Sequence, residues 1–93
     1  MNIRVIGPTA AGLPFVHAVD DHIESLWSIE ESGDWSADNR LGRAYADACL
    51  DYMRQSEFPG LLAHVLTAMI GSRRLGGVEI GFLHGIAVRA MVK

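Results

Sequence analysis

The chain has 93 residues, 49 % of them hydrophobic and 20 % charged, with a formal net charge of −3; this is the balance of one small domain with a thin core, and it excludes a disordered chain. The charge is polarised: residues 18–57 hold ten acids against three arginines, and the remainder holds one acid against five Lys and Arg. A uniformly basic nucleic-acid binder is excluded, because phosphate contacts need clustered Lys and Arg, and the single cysteine, Cys49, excludes an intramolecular disulfide. Met1–Gly7 lacks the basic-then-apolar order of a signal peptide. The longest uncharged run has 15 residues, short of the ~20 that a spanning helix needs. These features predict a cytoplasmic protein without membrane contact.

Met1–Ile6 alternates apolar Met1, Ile3 and Val5 with polar Asn2 and Arg4, which is strand period. A first helix is predicted from Pro14, a residue favoured at the first helical position, to Gly33. On it Phe15, Val16, Val19, Ile23, Leu26 and Ile29 fall on one side, and Asp20, Asp21, Glu24, Ser28 and Glu31 on the other. Ser36 or Asp38 caps a second helix, whose stripe is Leu41, Tyr45, Cys49, Tyr52 and Met53, widened by Gly42, Ala46 and Ala48. Pro59 opens a third, with Leu61, Leu62, Val65, Leu66, Met69 and Ile70 around most of its circumference, and Gly71 closes it. A helix that apolar is expected at the centre of its fold or under a partner. The last segment carries Glu79 near its start and Arg89 near its end, as the helix dipole favours. Its glycines 76, 77, 81 and 85 each cost about 1 kcal/mol in a helix interior relative to alanine. Helix is expected there, with a strand at 78–83, paired to residues 2–6, as the alternative. The fold class is therefore mainly α: a single domain, a small irregular bundle of three to four helices with a short N-terminal strand. The alternative is α+β.

Several constellations point toward chemistry, each with a structural counterpart. Gly7 and Gly12 have the G-x4-G spacing of a phosphate loop, but Leu13 and Pro14 stand where the Lys and Ser/Thr belong, so a turn is the better reading. His17 and Asp21 at i, i+4 offer two metal ligands where stable sites use three or four; a solvated acidic face accounts for them. His22 is placed in the apolar stripe and His64 on the mild strip of the third helix. Cys49 reads as a buried, inert thiol rather than a nucleophile, and His64 is its one candidate base. Trp27 and Trp35 flank the acidic stretch Ser28–Asp34, where a tryptophan either anchors an interface or seals the core.

The second constellation is Gly77, Gly81 and Gly85, a notch on one helix side that lets another backbone approach. It serves either intramolecular packing or self-association, with Phe82 and Ile86 as exposed apolar contacts. No catalytic set, cofactor site or metal site is complete, and the residues carry no family resemblance. The expectation is a non-enzymatic protein–protein interaction module, forming a homodimer through Gly77, Gly81, Phe82, Gly85 and Ile86. A second expectation is an acidic inhibitor or decoy, in the manner of small anti-defence proteins of phages and mobile elements. It would occupy a basic nucleic-acid-binding groove of a target protein through Asp20, Asp21, Glu24, Trp27, Glu31, Asp34 and Trp35. An enzyme with a Cys49–histidine centre is the third.

Overall fold

The computed structural model describes residues 10–20 and 22–92. The expected strand Met1–Ile6, the Gly7-Pro8 turn and Asp21 lie outside the described residues. In chain order the elements are β1 (His17–Val19), β2 (His22–Ser25), α1 (Trp35–Ser56), α2 (Leu61–Gly71) and α3 (Gly77–Met91). The protein is mainly α, with a two-stranded antiparallel sheet near its N-terminus.

The predicted first helix is absent; residues 17–25 form a hairpin and 26–34 an extended lead into α1. The register pairs His17 with Ser25, Ala18 with Ile23 and Val19 with His22, with an irregularity between His17 and Ala18. Asp20 takes a left-handed φ of 50° in the turn, a conformation that Asp tolerates and tight hairpin turns require. Three forces override the helical periodicity. Val16, Val19 and Ile23 are β-branched and stiff at χ1. Asp20 favours a turn. Above all, Phe15 and Trp27 both belong to the core, with ring centroids 5.4 Å apart. A helix would separate them by about 18 Å along its axis, whereas the hairpin returns the chain so that Ser28 N–H donates to the Phe15 carbonyl at 2.7 Å.

α1 starts where its cap dictates. The Asp34 carboxylate accepts from Ala37 N–H at 3.2 Å, satisfying a donor that the helix itself leaves unpaired. Glu57 ends the helix in the left-handed region, its N–H donating to the Met53 carbonyl. The buried line along α1 is Asp38, Gly42, Ala46 and Cys49. Thus the small residues expected to widen the stripe are its centre, and Leu41 is exposed. α2 begins at Leu61, two residues after the expected Pro59, and ends at Gly71 as expected. It buries one line, Leu61, Val65 and Met69, and leaves Ile70 exposed. It therefore lies at the edge of the fold rather than its centre.

The last segment is a helix, which removes the strand alternative at 78–83. Its N-terminus is held by Glu79, whose Oε1 accepts from Gly76 N–H at 2.8 Å, the reciprocal half of a capping box. Among the described residues, α1 and α3 make the most intimate contact. A methyl group added to Gly42 would overlap the Val78 carbonyl oxygen and lie 2.7 Å from Phe82 N. One added to Gly81 would overlap the Asn39 carbonyl, and one on Gly85 would lie 2.7 Å from the Ala46 Cβ. Backbone therefore meets backbone, a packing that glycine alone permits. The contact offsets the helix-propensity cost of these glycines.

The core caps one side of this helix pair. Phe15, Trp27, Tyr45 and Phe82 form an aromatic cluster with centroids 4.9–6.3 Å apart, several edge-on, the orientation that ring quadrupoles favour. Ala10, Leu13, Cys49, Leu61, Val65, Met69 and Val78 complete it.

Candidate functional site

The glycine notch is filled by the chain's own α1, so it is not open to a second molecule. Gly77 lies against Asp38 and the Trp35 carbonyl, Gly81 against Asn39, and Gly85 against Ala46 and Arg43. Phe82, expected as an exposed contact, is fully buried in the aromatic cluster, and Ile86 is half-buried. The physical reason is size. The glycine side admits a backbone, so it is the inner side, and Phe82 follows it inward one residue away.

What remains outside is the flank of α3 turned away from both α1 and the aromatic core. Ile80, Leu83, His84, Ala87, Val88 and Met91 are all exposed and recur at the i, i+3, i+4, i+7 spacing of a single helical face. None is charged, because the two charged residues of α3 turn inward or sideways. Glu79 is completely buried. Arg89 reaches back to α1, donating to Asp47 at 3.0 Å and Asp51 at 3.3 Å. Hydrogen bonds from the guanidinium to Asp47, then Asp51, raise its pKa further above the ordinary arginine range. These six residues are the ones sequence reasoning missed as a site. Their signal was present as a second apolar stripe, centred about 90° around the helix from the glycine line.

A groove of about 440 Å³ borders this face. Its walls are Leu50, Met53, Pro59, Leu62, Ile86 and Ala90, with Arg54 and Arg89 at the rim. It is an apolar slot between α1, the start of α2 and the end of α3.

The acidic expectation fares unevenly. Asp20, Glu24, Glu31 and Asp34 are exposed, but on a hairpin and an extended lead rather than one helix face. Glu24 sits 3.6 Å from His22, an exposed pair. Asp34 is engaged as the α1 cap, and Glu31 points its carboxylate at Gly76. Trp35 is 57 % exposed and available to a partner, whereas Trp27 is buried. The Trp27 indole N–H donates to Glu79 Oε2 at 2.8 Å. Both oxygens of this buried carboxylate are thereby satisfied, one by the indole and one by the α3 cap, as a buried charge requires. Asp38, also buried, accepts from Ser32 N–H at 3.1 Å through both oxygens and pins the lead to α1.

The remaining candidates divide as follows. Cys49 is buried with its thiol 3.8 Å from the Met53 sulfur, and burial pushes its pKa up to about 11. That is opposite to the lowering that activates a nucleophile. His64 is exposed and lies near the Phe58 ring. His22, expected in an apolar stripe, is exposed on β2. Among the described residues no three of His, Cys, Asp and Glu stand together to hold a metal ion, and no helix is long and apolar enough to cross a membrane. Comparison with protein-family models, curated proteins and solved structures finds no match.

Proposed function

We propose that this chain is a non-enzymatic protein–protein interaction module that docks another protein through the outer face of α3. The observation that supports this reading is that face itself: Ile80, Leu83, Ala87, Val88 and Met91, exposed, contiguous and free of charge. Single exposed apolar residues are ordinary on a soluble surface, whereas a contiguous patch marks an interaction site. The adjoining groove offers such a partner a place for one bulky apolar side chain. The experiment is gel filtration of an extract from cells that express the chain. The wild type is expected in a complex above its 10.1 kDa mass, and the Leu83→Glu variant at the protomer position. A wild type that elutes as a protomer, or a variant that stays in the complex, would sink the reading.

A second reading is supported by the other end of the molecule. Every charged residue between Ile6 and Asn39 is acidic, and Asp20, Glu24, Glu30, Glu31 and Asp34 are exposed, as is the indole of Trp35. That surface suits an inhibitor or decoy for a basic nucleic-acid-binding groove. Binding through it weakens steeply with salt. Reversal of Asp20 and Glu24 to lysine is expected to abolish it, and salt-independent binding counts against it.

A further inference from the structure

The docking reading leaves the occupant of the α3 face open. Resting on that reading, we propose that the occupant is a second copy of this chain, seated antiparallel on α3 about a two-fold axis.

Area supports a partner of this size. Along the outer side, Ile80, Leu83, Val88 and Met91 are exposed by 41, 40, 45 and 79 %, with exposed Ala87 between them. On side chains of that size this is roughly 400 Å² of apolar surface in one patch. A standard stable interface takes about 800 Å² from each partner, some 60 % of it apolar, which is the same order. One copy thus supplies what half of a dimer needs.

Charge selects the copy itself. A two-fold axis lays a patch against its own image, so a patch of either sign repels itself. The α3 face carries no Asp, Glu, Lys or Arg from Ile80 to Val88, and Arg89 is held away by Asp47 and Asp51. The acids that make the chain net negative are concentrated in residues 18–57, and Arg89 offsets one of the two charges of Asp47 and Asp51.

Register selects the direction. α3 has 15 residues and is about 22 Å long. With the axis between His84 and Ala87, Ile80 meets the partner's Met91 near the midline, and Leu83 and Val88 flank the seam on either edge. Small Ala87 lies opposite the partner's His84, so bulk faces space at the centre. Antiparallel seating also sets the positive end of each helix dipole beside the negative end of the other.

The test uses the purified full chain. Sedimentation equilibrium over a concentration series, at low and high salt, is expected to give twice the 10.1 kDa protomer mass, unaffected by salt because the seam is apolar. Leu83→Glu is expected to return the protomer mass with its helical circular dichroism kept. Ile70→Glu, equally drastic but on exposed α2 surface, is expected to leave the doubled mass. Mixing Ile80→Cys with Met91→Cys under mild oxidation is expected to give mainly the mixed disulfide, read by mass spectrometry. The native Cys49 stays out of the exchange because it is buried. A protomer mass throughout the series overturns the second copy, and leaves the docking reading to stand or fall on the extract experiment. A doubled mass that survives Leu83→Glu also overturns it. Homodisulfides, or no interchain disulfide, overturn the antiparallel seating.

Discussion

On its inner side α3 presents Gly77, Gly81 and Gly85, with Val78 and Phe82, to α1; on its outer side it presents Ile80, Leu83, Ala87 and Met91 to solvent. By hydropathy the outer side is at least as greasy as the inner. Yet the inner side is buried, because its absent side chains let two helix backbones touch, and the outer side has no such partner within the fold. In this helix the line of absent side chains, rather than hydropathy, decides which side turns in, and it carries Val78 and Phe82 inward beside it. The apolar stripe that lacks such a line is the one left exposed.

The sharpest way to break this contrast is Gly81→Val or Gly42→Val. Each drives carbon into a carbonyl of the opposing backbone, where no side chain can move aside, and is expected to cost about 3 kcal/mol or more. Urea melts measure it, and a loss below about 1 kcal/mol would mean that α1 and α3 do not touch as described. Next comes Glu79→Leu, which removes the acceptor of the Trp27 indole and of Gly76 N–H together. Two stranded buried donors are expected to cost about 2–4 kcal/mol, with Glu79→Gln losing less because it keeps an acceptor.

Gly85→Ala sharpens the contrast within the inner side, because its new methyl meets the Ala46 Cβ at 2.7 Å and the Arg43 backbone only at 3.3 Å or more. About 1–2 kcal/mol is expected. The buried thiol gives a titration test. With its pKa raised from 9.0 to about 11, Cys49 stays protonated in the folded chain while the unfolded chain ionises. Stability is therefore unaffected by this group below pH 9 and falls as pH rises toward 11. The stability advantage of the parent over Cys49→Ala is expected to narrow across that window, and alkylation of Cys49 at pH 8 is expected to track global unfolding. The smallest effect is Gly71→Ala, where a new methyl meets nothing within 4 Å. A gain of about 0.5 kcal/mol from helix propensity is expected, opposite in sign to every inner-side glycine.

Much of the helical half was legible. Pro59 and Gly71 bracketed α2 to within two residues, and Glu79 and Arg89 marked the ends of α3, whereas α1 is capped by Asp34 rather than by Ser36 or Asp38. These are local signals, and local chemistry decides them. The segment from Pro14 to Gly33 was not legible. Its apolar residues fit a helical wheel, but the outcome rests on a distant demand that Phe15 and Trp27 meet the same core beside Tyr45 and Phe82. Nothing within the segment itself states that demand. The proposed face was half legible. The glycine spacing drew attention to the helix that carries it, but left open whether the notch would meet the chain's own backbone or a second molecule. Trp27 shows the same gap, since its partner, Glu79, lies 52 residues away.

That tryptophan pair gives the molecule an optical asymmetry. Trp27 sits sealed among three other aromatic rings with its N–H on a carboxylate, and Trp35 stands in water at the head of α1. With Trp35 replaced by phenylalanine, emission arises from a single indole that reads the closure of the hairpin onto α3. With Trp27 replaced instead, it arises from one at the rim of the acidic surface. The same chain thus carries one fluorophore that reports its core and another that reports its surface, separable by one substitution each.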